Sequence, residues 1–293
     1  MKTVIAIFLT ILSLATNSIA AGVEKLSVFA GIPPQRLFIE RIGGEKVDVH
    51  IMLPPGQSPA TYAPSKRELA RLSGARVYFR IGVPFENALL TKIAKMGITL
   101  KIVDTRVGIE MRSLNTHHHN QRDHGKIGTD PHIWLDPKLV KIQARTICVA
   151  LSREDPDNAR FFAENLDVFL KELDDLDANL RAELTPLKGE TLFVFHPAFG
   201  YFADAYGLRQ VAVEIGGHTP SARQLARLIE KARAEKAGAI FVQPRFSTKS
   251  AKTVADAIGC AVVPIDPMAD NYIDNMKNIA SKIGAASRSR RGE

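Results

Sequence analysis

Cysteine is scarce. The 293 residues hold two, Cys148 and Cys260, which excludes a small disulfide-held scaffold. Their spacing fits neither a zinc ribbon nor a Cys-x-x-Cys redox pair. Each lies in an apolar run, Thr146-Ile-Cys-Val-Ala150 and Ile258-Gly-Cys-Ala-Val262, and reads as a buried free thiol. Aromatic residues make up only 7%, with one tryptophan. No stretch alternates bases with aromatics, so the net charge of +8 does not describe a nucleic-acid surface. There is no His-Glu-x-x-His, no Gly-x-Ser-x-Gly and no P-loop, and the commonest hydrolase and nucleotide-binding signatures are therefore absent. Beyond the first 20 residues no apolar run is long enough to cross a bilayer. What is present is an ordinary globular composition, 45% hydrophobic and 24% charged, with length for one large domain or two lobes that each bury a core.

The N-terminus carries an address. Lys2 precedes the apolar run Val4–Ala15, and small residues at Ser18 and Ala20 come after it. A positive start, a short hydrophobic stretch and a small-residue cut site describe a secretory signal peptide over residues 1–20. No cysteine lies at the cut, so a lipid-anchored form is not expected.

The rest of the chain alternates short apolar runs with amphipathic segments. Leu26–Ala30, 47–53, 75–81 and 99–104 read as strands in the first half, with helices over 35–42, 66–73 and 86–96 between them. The second half repeats the pattern, with strands over 191–195, 210–215, 239–242 and 261–265 and helices over 199–206, 221–236, 247–258 and 271–283. Such βα alternation predicts parallel sheets. Helices are also expected over 137–151 and 157–185. In the latter, Phe161, Phe162, Leu166, Phe169, Leu170, Leu173, Leu176 and Leu180 recur at helical spacing. That helix is longer than one lobe needs. The expected fold is α/β, two βα lobes with parallel sheets joined by a long backbone helix.

Chemistry-bearing residues collect at strand ends, where open α/β sheets bind ligands. His132 lies in Asp130-Pro-His-Ile-Trp-Leu135, before a helix. His196 ends the run Leu192–Phe195, and Asp266 ends Val262–Ile265. Neutral imidazole with carboxylate suits zinc or a similar divalent ion. Residues 105–131 break the alternation and contain His117-His118-His119 and His124, a tract able to collect divalent cations.

Asp130-Pro-His-Ile-Trp-Leu-Asp-Pro137, Phe195-His-Pro-Ala-Phe-Gly-Tyr-Phe202, Tyr206-Gly-Leu208 and Ile265-Asp-Pro267 together resemble the cluster A-I solute-binding proteins, the periplasmic zinc/manganese-binding components of ABC importers. The resemblance covers about residues 25–284, in the family's motif order. It implies metal held between the lobes by His132, His196 and Asp266, with zinc favoured over manganese because manganese-binding relatives tend to carry Glu at the position of His196. It further implies a periplasmic, non-enzymatic protein that hands its ion to an ABC permease in the inner membrane. A monomer with no nucleic-acid partner is expected. The corresponding division is a signal peptide at 1–20, an N-terminal lobe at 21–155 with a His-rich loop at 115–124, a linking helix at 156–186, a C-terminal lobe at 187–285 and a basic tail at 286–293.

One departure stands out. The family's first ligand is a His, and in Gly56-Gln-Ser-Pro-Ala-Thr-Tyr-Ala-Pro64 Ala60 occupies its place and Ala63 that of a nearby Glu. Alanine ligates nothing, which leaves water, Gln57, a loop histidine or His218 for the fourth position. An open position is also how catalytic zinc sites are built. The competing reading is therefore a zinc hydrolase with Glu214 as base, and a periplasmic metal chaperone on the same scaffold is a third.

Overall fold

The computed structural model describes residues 25–113, 128–214, 221–244, 246 and 248–292. The expected signal peptide at 1–20, the histidine tract at 115–124 and His218 lie outside them.

Two four-stranded parallel sheets form the frame. The first contains β1 (Leu26–Ala30), β2 (Val47–Ile51), β3 (Val77–Arg80) and β4 (Lys101–Asp104) in the order β2-β1-β3-β4. The second contains β5 (Thr191–Val194), β6 (Arg209–Ala212), β7 (Ala239–Val242) and β8 (Ala261–Pro264) in the order β6-β5-β7-β8. The two lobes are topological copies. Register in the first sheet sets Val28 beside Val49 on one side and Val77 on the other. The central strands are apolar on both faces, as parallel strands covered by helices must be: Val28, Val77, Tyr78 and Phe79 are fully buried.

Local sequence explains where the helices start. α1 (Pro34–Gly43) opens with a proline whose missing N–H costs nothing there. Ser65 and Glu68 close a capping box on α2 (Lys66–Leu72). α3 (Pro84–Met96) starts at a proline and stops at Gly97, whose φ of 64° is the left-handed conformation of a helix end. In α4 (Pro137–Glu154) the Asp136 carboxylate accepts from Lys138 N at 2.8 Å. The second lobe adds α6 (Gly200–Tyr206), α7 (Ala222–Ala234), α8 (Thr248–Ile258) and α9 (Tyr272–Arg291).

Between the lobes runs α5 (Ala159–Leu184), 26 residues and roughly 39 Å long. Its predicted apolar stripe is real but narrower than the sequence suggests. Phe162, Phe169, Leu173, Leu176, Leu180 and Leu184 are buried, while Phe161, Leu166 and Leu170 cover the edge of the core. One continuous core runs from the first sheet through α5 to α9. Phe38 of α1 meets Phe169 of α5 and lies edge-on to Tyr272 of α9, centroids 4.9 Å apart. The lobes thus share packed hydrophobic surface as well as a helix. The basic residues expected as a tail over 286–293 instead extend α9 to Arg291, because carboxylates wait for them: Arg288 meets Glu183 at 3.4 Å and Arg290 meets Glu190 at 2.8 Å. Both cysteines are free, Cys148 buried and Cys260 half-buried.

Glu86 is the most unusual residue of the N-terminal lobe. Fully buried at the start of α3, it accepts from the N–H groups of Ile81, Gly82 and Val83 and from the Tyr78 hydroxyl at 2.9 Å. Burial pushes its carboxyl from 4.5 up to about 6, against the pull of those donors. A folded value above the unfolded one favours the native state when protonated. This contribution, about 2 kcal/mol, is complete below pH 4.5 and is lost as pH rises through about 6. Glu86→Gln should flatten that slope. It should also lower stability at pH 7 by about 1–3 kcal/mol, since an amide NH2 then faces backbone donors. Urea melts at pH 4.5 and 7 read both effects; a variant more stable at pH 7 would contradict this account.

Candidate metal centre

His132 is fixed by the turn on its C-terminal side. Ile133, Trp134 and Leu135 form one buried 3-10 turn that leads into α4. Just before it, the Asp130 carboxylate accepts from His132 N at 3.0 Å and lies 2.7 Å from His132 Nδ1. Asp130 is itself buried, 3.6 Å from Arg112, and its carbonyl accepts from the Tyr201 hydroxyl of the second lobe at 3.1 Å. A carboxylate only accepts, so Nδ1 carries the hydrogen and Nε2 keeps its lone pair. Burial also holds His132 below the usual histidine range, outweighing the opposing pull of Asp130. The ring is therefore neutral, the form that binds metal.

His196 repeats this design from the other lobe. It lies just past β5, and its Nδ1 is 2.8 Å from Glu214 Oε2, just past the end of β6. Gln243, just past β7, clamps its backbone twice, accepting from His196 N at 3.2 Å and donating to His196 O at 3.1 Å. Phe246 stacks on the ring, centroids 4.8 Å apart and 17° from parallel. Each imidazole is thus held through Nδ1 by a carboxylate, with Nε2 left over.

The two rings meet, with centroids 5.5 Å apart at 73°. An ion bound tetrahedrally at about 2 Å from one nitrogen of each ring would put the centroids roughly 5 Å apart. The spacing fits a shared ion. Asp266 lies just past β8 and is half-buried; its Oδ1 accepts from Met268 N at 2.9 Å and its carbonyl from Asn275 Nδ2 at 2.6 Å. The next residue, Pro267, accepts from Trp134 Nε1 at 2.7 Å, and the Trp134 ring lies 5.1 Å from that of His132. The Asp266 loop is therefore stitched to the His132 turn. Even so, no group of three or more His, Cys, Asp and Glu side chains stands ready as a cage among the described residues. The structure brings the imidazole pair together; Asp266 is tied to it only through Pro267 and the Trp134 indole.

Ala60 is exposed, and its N–H lies 3.3 Å from Ser58 Oγ. Tyr62 packs edge-on against Phe85 and donates to Glu68 at 2.8 Å, so it secures the loop rather than stacking at the centre. Glu214, the candidate base of the hydrolase reading, serves as the hydrogen-bond partner of His196 Nδ1. Asp130 and Phe246 are supports not foreseen from the sequence; Gln243, which in Phe241-Val-Gln-Pro-Arg245 is expected to line the cleft or a lobe contact, is a third support. Asp130, two residues before His132, was visible in the same motif. Gln243 was open to the strand-end rule, while the Phe246 stack had no sequence signal.

The family model described as zinc-uptake complex component A, periplasmic, matches residues 28–286. The chain is 27% identical over 243 residues to the high-affinity zinc uptake system protein ZnuA of Bacillus subtilis, covering 80% of this chain and 76% of that protein. It is 30% identical over 253 residues to the manganese ABC transporter substrate-binding lipoprotein PsaA of Streptococcus pneumoniae, covering 82% and 74%. A crystal structure of ZnuA superposes with a TM-score of 0.83 at 38% identity, over 89% of this chain and 99% of that one. A zinc-bound ZnuA deletion mutant gives 0.82 at 38% identity, over 90% and 98%.

Proposed function

The chain belongs to the family of periplasmic zinc-uptake component A proteins, the metal-binding solute-binding proteins of ABC importers, and from that premise we propose that it captures zinc in preference to manganese and delivers it to an ABC permease at the inner membrane. The observation that carries this reading is the imidazole pair, 5.5 Å between centroids with each Nδ1 held by a carboxylate. His132 and His196 would supply two nitrogens and Asp266 one oxygen. Nitrogen-rich sets suit zinc, whereas manganese favours oxygen. Capture and release need only ligand exchange. The base that a hydrolase reading offers, Glu214, is engaged by His196 Nδ1; as an orienting partner it is poorly placed to activate water. The protein would act in the periplasm as a monomer. Consistent with this, no helix among the described residues is long and apolar enough to cross a membrane.

Metal analysis of untagged protein, followed by zinc and manganese titration, tests the proposal. One tight zinc equivalent with weaker manganese is expected; manganese binding the tighter would refute the zinc preference, and no binding of either would refute the site. With alanine at position 60, the set as proposed has three protein ligands. Ala60→His should tighten zinc by about tenfold or more, ~1.4 kcal/mol, in a competition titration. An unchanged or weaker constant would remove residue 60 from the coordination sphere.

A further inference from the structure

His132 and His196 are each held through Nδ1, yet the two carboxylates that hold them are supported differently. Glu214 pairs with His196, and among the described residues no lysine or arginine forms an ion pair with it. The remaining supports of His196, Gln243 and Phe246, come from the same lobe. Asp130, by contrast, faces a cation. Asp130 N donates to Arg112 O at 2.8 Å, next to the antiparallel bridge of Ser113 with Thr129. The side chains pair as well, with Arg112 Nη1 3.6 Å from Asp130 Oδ2.

The Asp130 side chain is only 2% exposed, and its Oδ1 already meets both the backbone N–H and the Nδ1 of His132. A charge buried this deeply needs an opposite charge beside it. Arg112 supplies it, and in doing so decides which way the carboxylate faces, Oδ2 to the guanidinium and Oδ1 to the imidazole. Arg112 is itself gripped by α6 of the second lobe. Its Nε lies 2.7 Å from Asp204 Oδ2, and its guanidinium carbon lies 5.7 Å from the centre of the Tyr201 ring. The Tyr201 hydroxyl accepts from Arg112 N at 2.8 Å and donates to Asp130 O at 3.1 Å. Gly200 is small for a reason that follows. A Cβ there would collide with the guanidinium and stand 2.8 Å from Asp130 Oδ2.

The imidazoles therefore differ in what poses them. His196 is set by its own lobe. His132 is set by Asp130, and Asp130 by an arginine whose charge and backbone are both engaged by the opposite lobe. We infer that Arg112 is a positioning residue of the metal centre: clamped by Asp204 and Tyr201, it aims the Asp130 carboxylate and makes the metal-binding pose of His132 depend on contact between the lobes. The inference rests on the zinc-capture reading above.

The test is zinc affinity of the mature full-length protein, read by chelator competition, with urea melts in parallel. Arg112→Gln should weaken zinc binding about tenfold, the lower end for an outer-sphere change. Arg112→Lys keeps the charge without the planar fork and should return to within about threefold of wild type. Asp204→Asn leaves Arg112 and Asp130 in place and should cost about threefold, as for a half-exposed ion pair. Arg41→Gln, which removes an ion pair with Glu172 far from the centre, should stay within about twofold. The deciding arm is a double-mutant cycle. In an Asp130→Asn background, Arg112→Gln should cost less than about a further twofold, because its effect passes through Asp130. A merely structural arginine would cost the same in both backgrounds. Wild-type affinity in Arg112→Gln overturns the inference, and so does a tenfold loss that persists in the Asp130→Asn background. Should Arg112→Gln fail to fold, Asp204→Asn and Gly200→Ala carry the test, and wild-type affinity in both overturns it. Absence of zinc binding by the wild-type protein overturns the zinc-capture reading itself, and the role of Arg112 with it.

Discussion

His196→Ala is expected to weaken zinc binding several-hundredfold. Apparent zinc free energies of about 10–16 kcal/mol over four ligands amount to ~2.5–4 kcal/mol for each, and 1.4 kcal/mol is tenfold. The substitution also costs stability, separately from affinity. Glu214 is only 8% exposed, and without the imidazole its Oε2 has no hydrogen-bond partner among the described residues, a cost equal in either metal state. His132→Ala should do the same through Asp130, which is buried still deeper. Glu214→Gln is the control. It keeps a hydrogen-bond acceptor for Nδ1 but removes the charge that raises ligand basicity, so a loss near tenfold is expected, the lower end for an outer-sphere change. Competition against a chelator of known affinity measures all three. A His196→Ala constant within threefold of wild type would show that His196 binds no ion.

The order of these effects stems from how the site is assembled, and so does the extent to which it could be read beforehand. His132, His196 and Asp266 each end or flank an apolar run, and a strand end is written locally in the sequence. The same is true of the two lobes, because the apolar strands and the capped helices between them announce themselves within a few residues. Six of the eight expected strands run one to three residues beyond the observed ones, as 47–53 against Val47–Ile51, because apolar residues continue past the ends of the ladder into packed loops. α9 came out longer than expected because the carboxylates that hold its basic end, Glu183 and Glu190, lie about a hundred residues away in sequence. The partner of Gln243 is unreadable for the same reason: it reaches His196 across 47 residues, and nothing near either position records the pairing. The candidate site is legible in its proposed donors, which mark strand ends, and far less so in the pairings of its supports, which mark tertiary proximity.

Trp134 is where support and stability coincide, and its replacement should have the largest structural effect. The indole is 1% exposed, touches the His132 ring, and donates from Nε1 to Pro267 O at 2.7 Å across 133 residues. Trp134→Ala should cost about 3–5 kcal/mol of stability. Trp134→Phe keeps most of the packing and leaves the Pro267 carbonyl unpaired, a cost of about 1–3 kcal/mol. Stability alone would not distinguish this residue from any large core side chain. Pro267, however, is the residue directly after Asp266, so the indole bond sets the distance between the tethered carboxylate and the imidazole pair. Both Trp134 variants should therefore lose zinc affinity as well. Leu173→Ala, in the middle of α5, should cost a comparable 2–5 kcal/mol and leave affinity nearly unchanged below its melting transition. Denaturant melts together with zinc competition separate the two quantities. If Trp134→Phe melts early yet binds zinc as wild type does, the link between the lobes through Pro267 stabilises the fold without positioning Asp266, and the carboxylate must reach the ion by a route independent of the indole.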